Sequence, residues 1–230
     1  MASAYALNGR TTAQVSDLYP TVVTPAGITF SIWGAIYIML GVFVTAPFFM
    51  RQTTVDYVGK IGLLFSLSCL FNIAWLLLWH YDYIAFSVIP MLALFLTLLA
   101  IYLVVGVGRL HPPIRERLAF QVPFSLYLGW ITVAFVVNIA AALVYLGWDG
   151  LGISEPQWGV IAVGLTTLVA LVSVFSKRDV VYALVVLWAL LGIYFKPGVL
   201  AEISNSVLVG GALIIVALAL VLLKSRPRIR

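Results

Sequence analysis

The stretch QVPFSLYLGWITVAFVVNIAAAL, residues 121–143, shows the pattern on which the rest of the chain is built. It is apolar and long enough to cross a bilayer, which takes roughly 20 helical residues. Because each helical residue advances by about 100°, one face about 80° wide gathers aromatic, small and amide side chains. Those side chains belong to Pro123, Tyr127, Trp130, Ala134 and Asn138. Apolar residues cover most of the remaining surface, so one side is expected to face neighbouring helices or a cavity and the other lipid.

The composition of the chain is that of a membrane protein. Its 230 residues are 63% hydrophobic and only 9% charged, with a mean hydropathy of +1.13. A soluble domain is about 25% charged. The pI of 9.4 does not indicate nucleic-acid binding, because the positive charges lie in loops beside apolar spans, where they set topology. The N-terminal segment lacks the basic region and apolar core of a cleavable signal peptide, so we predict a single membrane domain.

Apolar segments predict an all-α, polytopic transmembrane helix bundle with seven spans. The segments cover residues 27–50, 61–79, 84–108, 121–147, 158–176, 180–195 and 203–223. The sixth segment is short for a membrane crossing, so the number of crossings depends on whether it spans or re-enters.

The basic residues favour seven crossings. Of the 13 Lys and Arg residues, only Arg10 and Lys196 then fall on the N-terminal side of the membrane, and the other 11 fall on the opposite side. A re-entrant sixth segment would leave 7 basic residues on one side of the membrane and 6 on the other. By the positive-inside rule, we expect the N-terminus outside and the C-terminus in the cytoplasm, in a plasma (inner) membrane.

The predicted spans lack the groups that several mechanisms need. None has Asp, Glu, Lys, Arg or His near its centre, which argues against proton pumps and most ion-coupled carriers. The last span has no lysine for a retinal Schiff base, and His80 and His111 fall on opposite sides of the membrane. With Cys69 as the one cysteine, no metal or catalytic cluster is expected, and the pair His80 and Asp82 is interpreted as an interfacial cap. We expect neither an enzyme nor a required cofactor.

Two other spans repeat the aromatic and polar face of the fourth. In the second span the shared face carries Ser68, Asn72, Trp75 and Trp79. In the first span it carries Phe30, Trp33, Tyr37 and Gly41. Helix packing alone can produce such faces, since small residues allow close approach and amides form hydrogen bonds between helices. The functional interpretation is a pocket between three helices that orients a flat aromatic ligand with polar edges.

These residues resemble the TspO/translocator-protein family, also called tryptophan-rich sensory proteins or peripheral benzodiazepine-receptor homologues. The fourth helix of that family reads roughly P-Y-x-x-W-x-x-x-A-x-x-x-N. The chain matches this pattern with Pro123, Phe124, Trp130, Ala134 and Asn138, with a longer spacing between Pro and Trp. The second-helix pattern is matched by Asn72, Trp75 and Trp79, and the first by Pro25, Phe30, Trp33 and Tyr37.

The resemblance covers about residues 20–176 and implies a division of the chain. A short extracytoplasmic segment, 1–24, is expected before a TspO-like five-helix membrane domain, 25–176. Two additional transmembrane helices, 177–223, and a basic cytoplasmic tail, 224–230, would follow.

The resemblance also implies a homodimer with an internal pocket for porphyrins such as protoporphyrin IX or haem, and for cholesterol in animal members. Together with the three faces, it predicts ligand contacts at Trp33, Tyr37, Asn72, Trp75, Trp79, Tyr127, Trp130, Ala134 and Asn138. Sterol binding carries over poorly, because the fifth span ends LVSVFSKRD, without the Tyr of the family's cholesterol motif.

We therefore expect an integral membrane protein that binds a hydrophobic or tetrapyrrole-like ligand for sensing or transport. Three alternatives stay open. A small permease for a neutral solute would show two superimposable halves. A porphyrin-degrading protein would have to rely on tryptophan photochemistry, and a structural partner subunit would expose its aromatic stripe to lipid without a cavity.

Overall fold

The computed structural model describes residues 7–50, 53 and 56–224 and confirms an all-α, polytopic bundle, with no β-strand in that part of the chain. The helices are α1 (Thr12–Leu18), α2 (Ile32–Phe49), α3 (Tyr57–His80), α4 (Ile84–Val104), α5 (Ile114–Glu116), α6 (Val122–Tyr145), α7 (Glu155–Lys177), α8 (Val180–Tyr194) and α9 (Ala201–Lys224). Short helical turns are Gly27–Ser31 before α2, Arg117–Gln121 before α6 and Gly150–Gly152 before α7. The predicted basic tail lies outside the described residues apart from Lys224.

The long helices match the predicted spans, with two helices beginning earlier than expected. The first, third and sixth segments agree closely with the observed helices. However, α3 begins at Tyr57 rather than at residue 61, and the helical chain that contains α6 begins at Ile114 rather than at 121. Both extensions contain charged residues, Lys60 in one and Glu116 in the other. Helices continue beyond the apolar segment because their polar ends lie at the interface, where charge is tolerated.

The described residues contain six helices that are long and apolar enough to cross a membrane. The remaining apolar helix, α8, has 15 residues, which is about 22 Å of helix against a hydrocarbon core about 30 Å thick. It nevertheless runs from one end of the bundle to the other. It begins where Asp179 lies beside Tyr102 of α4, and just past its end Lys196 forms an ion pair with Asp17 of α1. In the described part of the chain, α8 thus joins the six longer apolar helices in connecting the two ends of the bundle.

Side-chain caps fix where several helices begin. Thr11, Asp56 and Asp179 each accept a hydrogen bond from the backbone N–H three residues later, at the starts of α1, α3 and α8. At the start of α7, the backbone N–H of Ser154 donates to Gln157 Oε1. Such caps satisfy N–H groups that have no partner within the helix. Arg178, with φ of 52°, is left-handed and ends α7, so that α8 can turn back along it.

The central helix is α6, which packs against α4, α8 and α2, whereas α3 packs on α4. Helix α8 lies directly on α6, where Gly129 would bring an added Cβ within 3.1 Å of Val185 Cβ. Helix α7 packs mainly on α9 and α8. The missing side chain at Gly129 allows this approach, which makes α8 part of the core around α6.

The C-terminal part of α8 is held close to the turn that precedes α2. The backbone N–H of Ala26 donates to Gly192 O at 2.8 Å, and Trp188 Nε1 donates to Thr29 O at 2.9 Å. A Cβ added at Gly192 would lie 2.9 Å from Thr29 Cβ and closer still to the outer atoms of that side chain. Gly192 therefore has no room for a side chain.

We predict that Gly192→Ala destabilises the bundle by about 1–3 kcal/mol, because the added methyl group separates α8 from Thr29. This should lower the midpoint of thermal unfolding in detergent by several degrees. Gly164→Ala is the matched control, since an added Cβ there meets nothing within 4 Å. Adding Thr29→Ala to the first variant should recover part of the loss. Equal unfolding midpoints for both single variants would contradict the close approach of α8.

Candidate functional site

The tryptophans of the three predicted faces meet in the space between α2, α3 and α6. Trp33, Trp75 and Trp130 are 3%, 3% and 2% exposed, so the aromatic faces are buried rather than turned to lipid. Trp33 stacks on Trp75 with ring centroids 6.1 Å apart, and Trp75 stacks on Trp79 at 5.9 Å. Trp130 meets the Trp33 ring edge-on at 6.4 Å. This arrangement differs from the lipid-facing stripe expected of a purely structural subunit.

The rings fill a space that the helix backbones leave open. Helix α3 packs its backbone on α4, and α2 packs on α6, but neither α2 and α3 nor α3 and α6 approach each other closely. The distance between these backbones is bridged by aromatic side chains instead. A planar group can therefore take the place of one of these rings without moving apart helices whose backbones are in contact.

A small cavity of about 30 Å³ remains among the rings, and we call it the aromatic cavity. Its lining residues are Thr12, Ser16, Pro25, Phe30, Trp33, Trp75, Trp79, Trp130, Val133, Ala134, Val137 and Asn138. A cavity of this size holds about two water molecules, since each needs roughly 10–15 Å³ of such volume. It has no room for a larger ligand in the conformation observed.

Six of the nine predicted ligand residues line the aromatic cavity, and three lie beside it. Trp33, Trp75, Trp79, Trp130, Ala134 and Asn138 are in the lining. Tyr37 and Tyr127 lie one ring further out, each in contact with Trp33 at 5.6 and 5.9 Å between centroids. Asn72 lies beside Tyr37. The structure therefore brings all nine residues into one neighbourhood.

The two buried amides make separate contacts. Asn138 Oδ1 accepts from Trp75 Nε1 at 3.1 Å, and Asn138 Nδ2 donates to Ser87 Oγ at 2.9 Å, which joins α6 to α3 and α4. Asn72 has no hydrogen bond to Asn138 and lies on the Tyr37 side. Asn138 therefore holds the helices in register, and the two amides do not form a joint polar edge for one ligand.

Several buried polar atoms around the aromatic cavity have no hydrogen-bond partner among the described residues. They are Trp130 Nε1, Ser16 Oγ and Asn72 Oδ1. The Trp130 and Ser16 side chains line the cavity, and each offers a donor. Buried polar groups are nearly always paired, so these two donors are available to a hydrogen-bond acceptor placed in the cavity.

Helix α1 closes one end of the aromatic cavity, a role that the sequence analysis missed by treating residues 1–24 as a short polar segment. Thr12 O accepts from Trp79 Nε1 at 3.3 Å, and Ser16 is buried against the rings. The signal was present in the sequence. Thr11 and Gln14 form a capping box, a pattern that marks the start of a helix.

Polar contacts at both ends of α1 hold it over the cavity. Arg10 donates to both carboxylate oxygens of Asp82, and Tyr19 donates to Asp82 Oδ1 at 3.1 Å. Lys196 forms an ion pair with Asp17 in the last turn of α1. The expected cap at Asp82 is thus a tether between α1 and α3. The hydrogen bond from Arg10 holds the pKa of Asp82 below its ordinary value.

The described residues show no group of three or more His, Cys, Asp or Glu side chains that could hold a metal ion. The lining of the aromatic cavity contains tryptophan, small hydroxyl and aliphatic side chains with one amide. These side chains can contact a bound molecule through shape complementarity, ring stacking and hydrogen bonds.

The apolar helices and the buried tryptophan cluster show that the chain is an integral membrane protein with an aromatic core. A family model described as TSPO-like protein matches residues 1–223, and the chain belongs to that family. The match includes α8 and α9, which the recognised motifs did not cover. No curated protein and no solved structure matches the chain.

We predict that Asn138→Leu destabilises the bundle by about 1–3 kcal/mol, because it leaves Trp75 Nε1 and Ser87 Oγ without their partner in an apolar environment. Thermal unfolding in detergent measures the effect. Asn205→Leu, at an exposed position of α9, is the control and should change stability by about 0.5 kcal/mol or less. An unchanged midpoint for Asn138→Leu would show that the hydrogen bonds do not hold α3, α4 and α6 together.

The Asp82 tether predicts how α1 responds to pH. A carboxylate with a lowered pKa stabilises the folded form above its unfolded value of about 3.9, and this contribution disappears as the pH falls through the lower folded value. The contribution of Asp82 to the docking of α1 should therefore be constant from pH 8 to 5 and weaken only below about pH 4. Hydrogen exchange of residues 12–18, normalised for intrinsic rates, measures docking. In Asp82→Asn, residues 12–18 should exchange faster at pH 7, and their exchange should not rise further below pH 4. A rise below pH 4 in that variant would mean that a group other than Asp82 causes the loss of docking.

Proposed function

We propose that this protein binds a flat, hydrophobic, tetrapyrrole-like ligand, such as protoporphyrin IX or haem, in the aromatic cavity. The observation that carries the proposal is the buried indole N–H of Trp130, which has no hydrogen-bond partner among the described residues and lies in the cavity lining beside the stacked tryptophans. A ligand with a planar body and polar edges complements both features. The face of the ligand stacks on a tryptophan ring in place of a neighbouring ring. An oxygen at the edge of the ligand accepts a hydrogen bond from the indole N–H.

Binding requires that the closed site open. A cavity of about 30 Å³ has no room for a tetrapyrrole, so α1 and the chain that links it to α2 must move away from the rings. Helix α1 is the element best suited to this, because it is only 7 residues long, lies at the end of the bundle and buries only Thr12, Val15 and Ser16. Short segments near a chain end open at a lower free energy than the long core helices.

Sensing or transport of the ligand fits the lining better than catalysis does. The cavity lining contains no titratable side chain, so it offers no general acid, general base or metal ligand. A binding site of this kind can report the presence of its ligand or carry it between leaflets. Membership of the TSPO-like family supports a homodimer as the functional form.

The distribution of charge supports an orientation in a plasma (inner) membrane. At the end of the bundle that carries α1, Arg10 and Lys196 are each paired with an acidic residue. The opposite end carries Arg109, Arg115, Arg117, Lys177 and Arg178. By the positive-inside rule, the α1 end faces outward, and a ligand reaching the aromatic cavity under α1 enters from the outer side.

A titration of purified protein with protoporphyrin IX tests this proposal, with quenching of tryptophan fluorescence as the signal. We expect saturable quenching in the wild type. Trp130→Phe keeps a ring but removes the N–H, so the half-saturation concentration should rise about 3- to 10-fold. Trp148→Phe, at an exposed tryptophan outside the aromatic cavity, should leave the half-saturation concentration unchanged.

Two results would contradict the proposal. Linear quenching without saturation would mean that the porphyrin only partitions into detergent or lipid. Saturable quenching that is weakened by Trp148→Phe but not by Trp130→Phe would place the porphyrin outside the aromatic cavity. Thermal unfolding of each variant without ligand confirms that the fold is intact before either result is interpreted.

A further inference from the structure

A second and much larger space lies between α6 and α7, at the end of the bundle that carries α1. Its volume is about 700 Å³, and we call it the α6–α7 groove. It forms because α7 packs on α9 and α8 and diverges from α6. The chain between α1 and α2, residues 20–23, lines the groove between the two helices. The groove uses a different face of α6 from the aromatic cavity, so neither site depends on the other for its lining.

The walls of the groove are apolar over about half of the membrane. Ile139 and Leu143 of α6 face Ile161 and Leu165 of α7 across it. From Glu155 to Leu165 the lining covers ten helical steps, or about 15 Å, against a hydrocarbon core of about 30 Å. A groove of this length accommodates one apolar chain or a narrow ring system lying along the helices.

The mouth of the groove is lined by aromatic and acidic side chains, unlike its apolar walls. Trp148 and Trp158 lie there with ring centroids 5.1 Å apart, and Trp158 Nε1 donates to Gly150 O at 2.9 Å, which fixes that ring in place. The carboxylates of Asp149 and Glu155 line the same mouth. Interfacial tryptophans commonly anchor helices, but here two of them share an opening with two acidic side chains.

The two carboxylates at this mouth have no basic partner among the described residues, although Asp149 Oδ1 accepts a hydrogen bond from Leu151 N–H at 3.1 Å and Glu155 lies in the first turn of α7. No basic side chain lines the groove. The basic side chains described at this end, Arg10 and Lys196, are paired with Asp82 and Asp17. A cation at the mouth would be attracted by both carboxylates and by the faces of the indole rings. A phosphate group there would be repelled.

We propose that the α6–α7 groove binds a hydrophobic amine, meaning an apolar chain or ring body that ends directly in a protonated amine. The apolar body lies between α6 and α7, and the ammonium group lies at Asp149 and Glu155 beside the two tryptophans. A phospholipid fits less well, because its phosphate lies between the acyl chains and any ammonium group and would face the carboxylates. This site is separate from the proposed tetrapyrrole site and does not rest on it.

Photocrosslinking in phosphatidylcholine nanodiscs tests the proposal, because a competing phospholipid is then always in excess. The probe is dodecylamine with a diazirine in its chain, compared with dodecanol and dodecanoic acid that carry the same group. Mass spectrometry locates the crosslinks. We expect saturable amine labelling on α6 and α7 at residues that line the groove, with weaker labelling by the alcohol and the weakest by the acid.

Matched variants separate the charge at the mouth from the apolar walls. The double variant Asp149→Asn, Glu155→Gln should raise the half-saturation concentration for the amine about 3- to 10-fold and leave that for the alcohol unchanged. Glu202→Gln removes an exposed carboxylate outside the groove and should change neither. Ala162→Phe fills the groove from α7 and should reduce labelling by all three probes.

The proposal is overturned if labelling is linear in probe concentration, which would indicate partitioning into lipid alone. It is also overturned if the three probes label equally, or if the charge-neutral double variant binds the amine as the wild type does. Because Asp149 and Glu155 lie at the surface, their variants keep the test valid even if Ala162→Phe fails to fold. Protoporphyrin quenching should be unchanged in the double variant, so failure at one site is distinguishable from failure at the other.

Discussion

The hydrogen bonds of Asn138 to Trp75 and Ser87 are the contacts on which the arrangement of the bundle depends. An amide within the membrane has no water to pair with, so its partners must come from neighbouring helices. Here the partners come from α3 and α4, which fixes α6 relative to both. Once this register is set, Trp75 is held against Trp33, and the position of every other ring in the cluster follows from the Trp75 indole.

The tryptophan cluster substitutes for close helix packing. Membrane helices usually associate through small residues that bring backbones together, as α6 and α8 do at Gly129. Between α2, α3 and α6 the contact surfaces are rings instead. The close interface between α6 and α8 is the more rigid one, and the ring-filled interface between α2, α3 and α6 adapts more easily. The buried N–H of Trp130 lies in the ring-filled interface.

Most of the fold and part of the site could be predicted from the sequence, for a physical reason. Apolar length and charge are local properties, so the spans and the helical faces of Trp33, Trp75 and Trp130 could be predicted from neighbouring residues alone. The partners of Asn138, the cover formed by α1 and the divergence of α6 from α7 are properties of distant segments. Without an alignment of related chains, a sequence gives no distances between such segments, although the capping box at Thr11 did signal α1.

The stretch that runs from α1 to the turn before α2 borders both the aromatic cavity and the α6–α7 groove. Thr12, Ser16 and Pro25 line the aromatic cavity, and residues 20–23 of the same continuous stretch line the α6–α7 groove. Any molecule that shifts this stretch while occupying one space alters the free energy of occupying the other. Thermodynamic reciprocity requires the two effects to be equal in size. If ligands occupy both spaces as we propose, this one stretch of fewer than twenty residues would couple the inner ligand to the peripheral one.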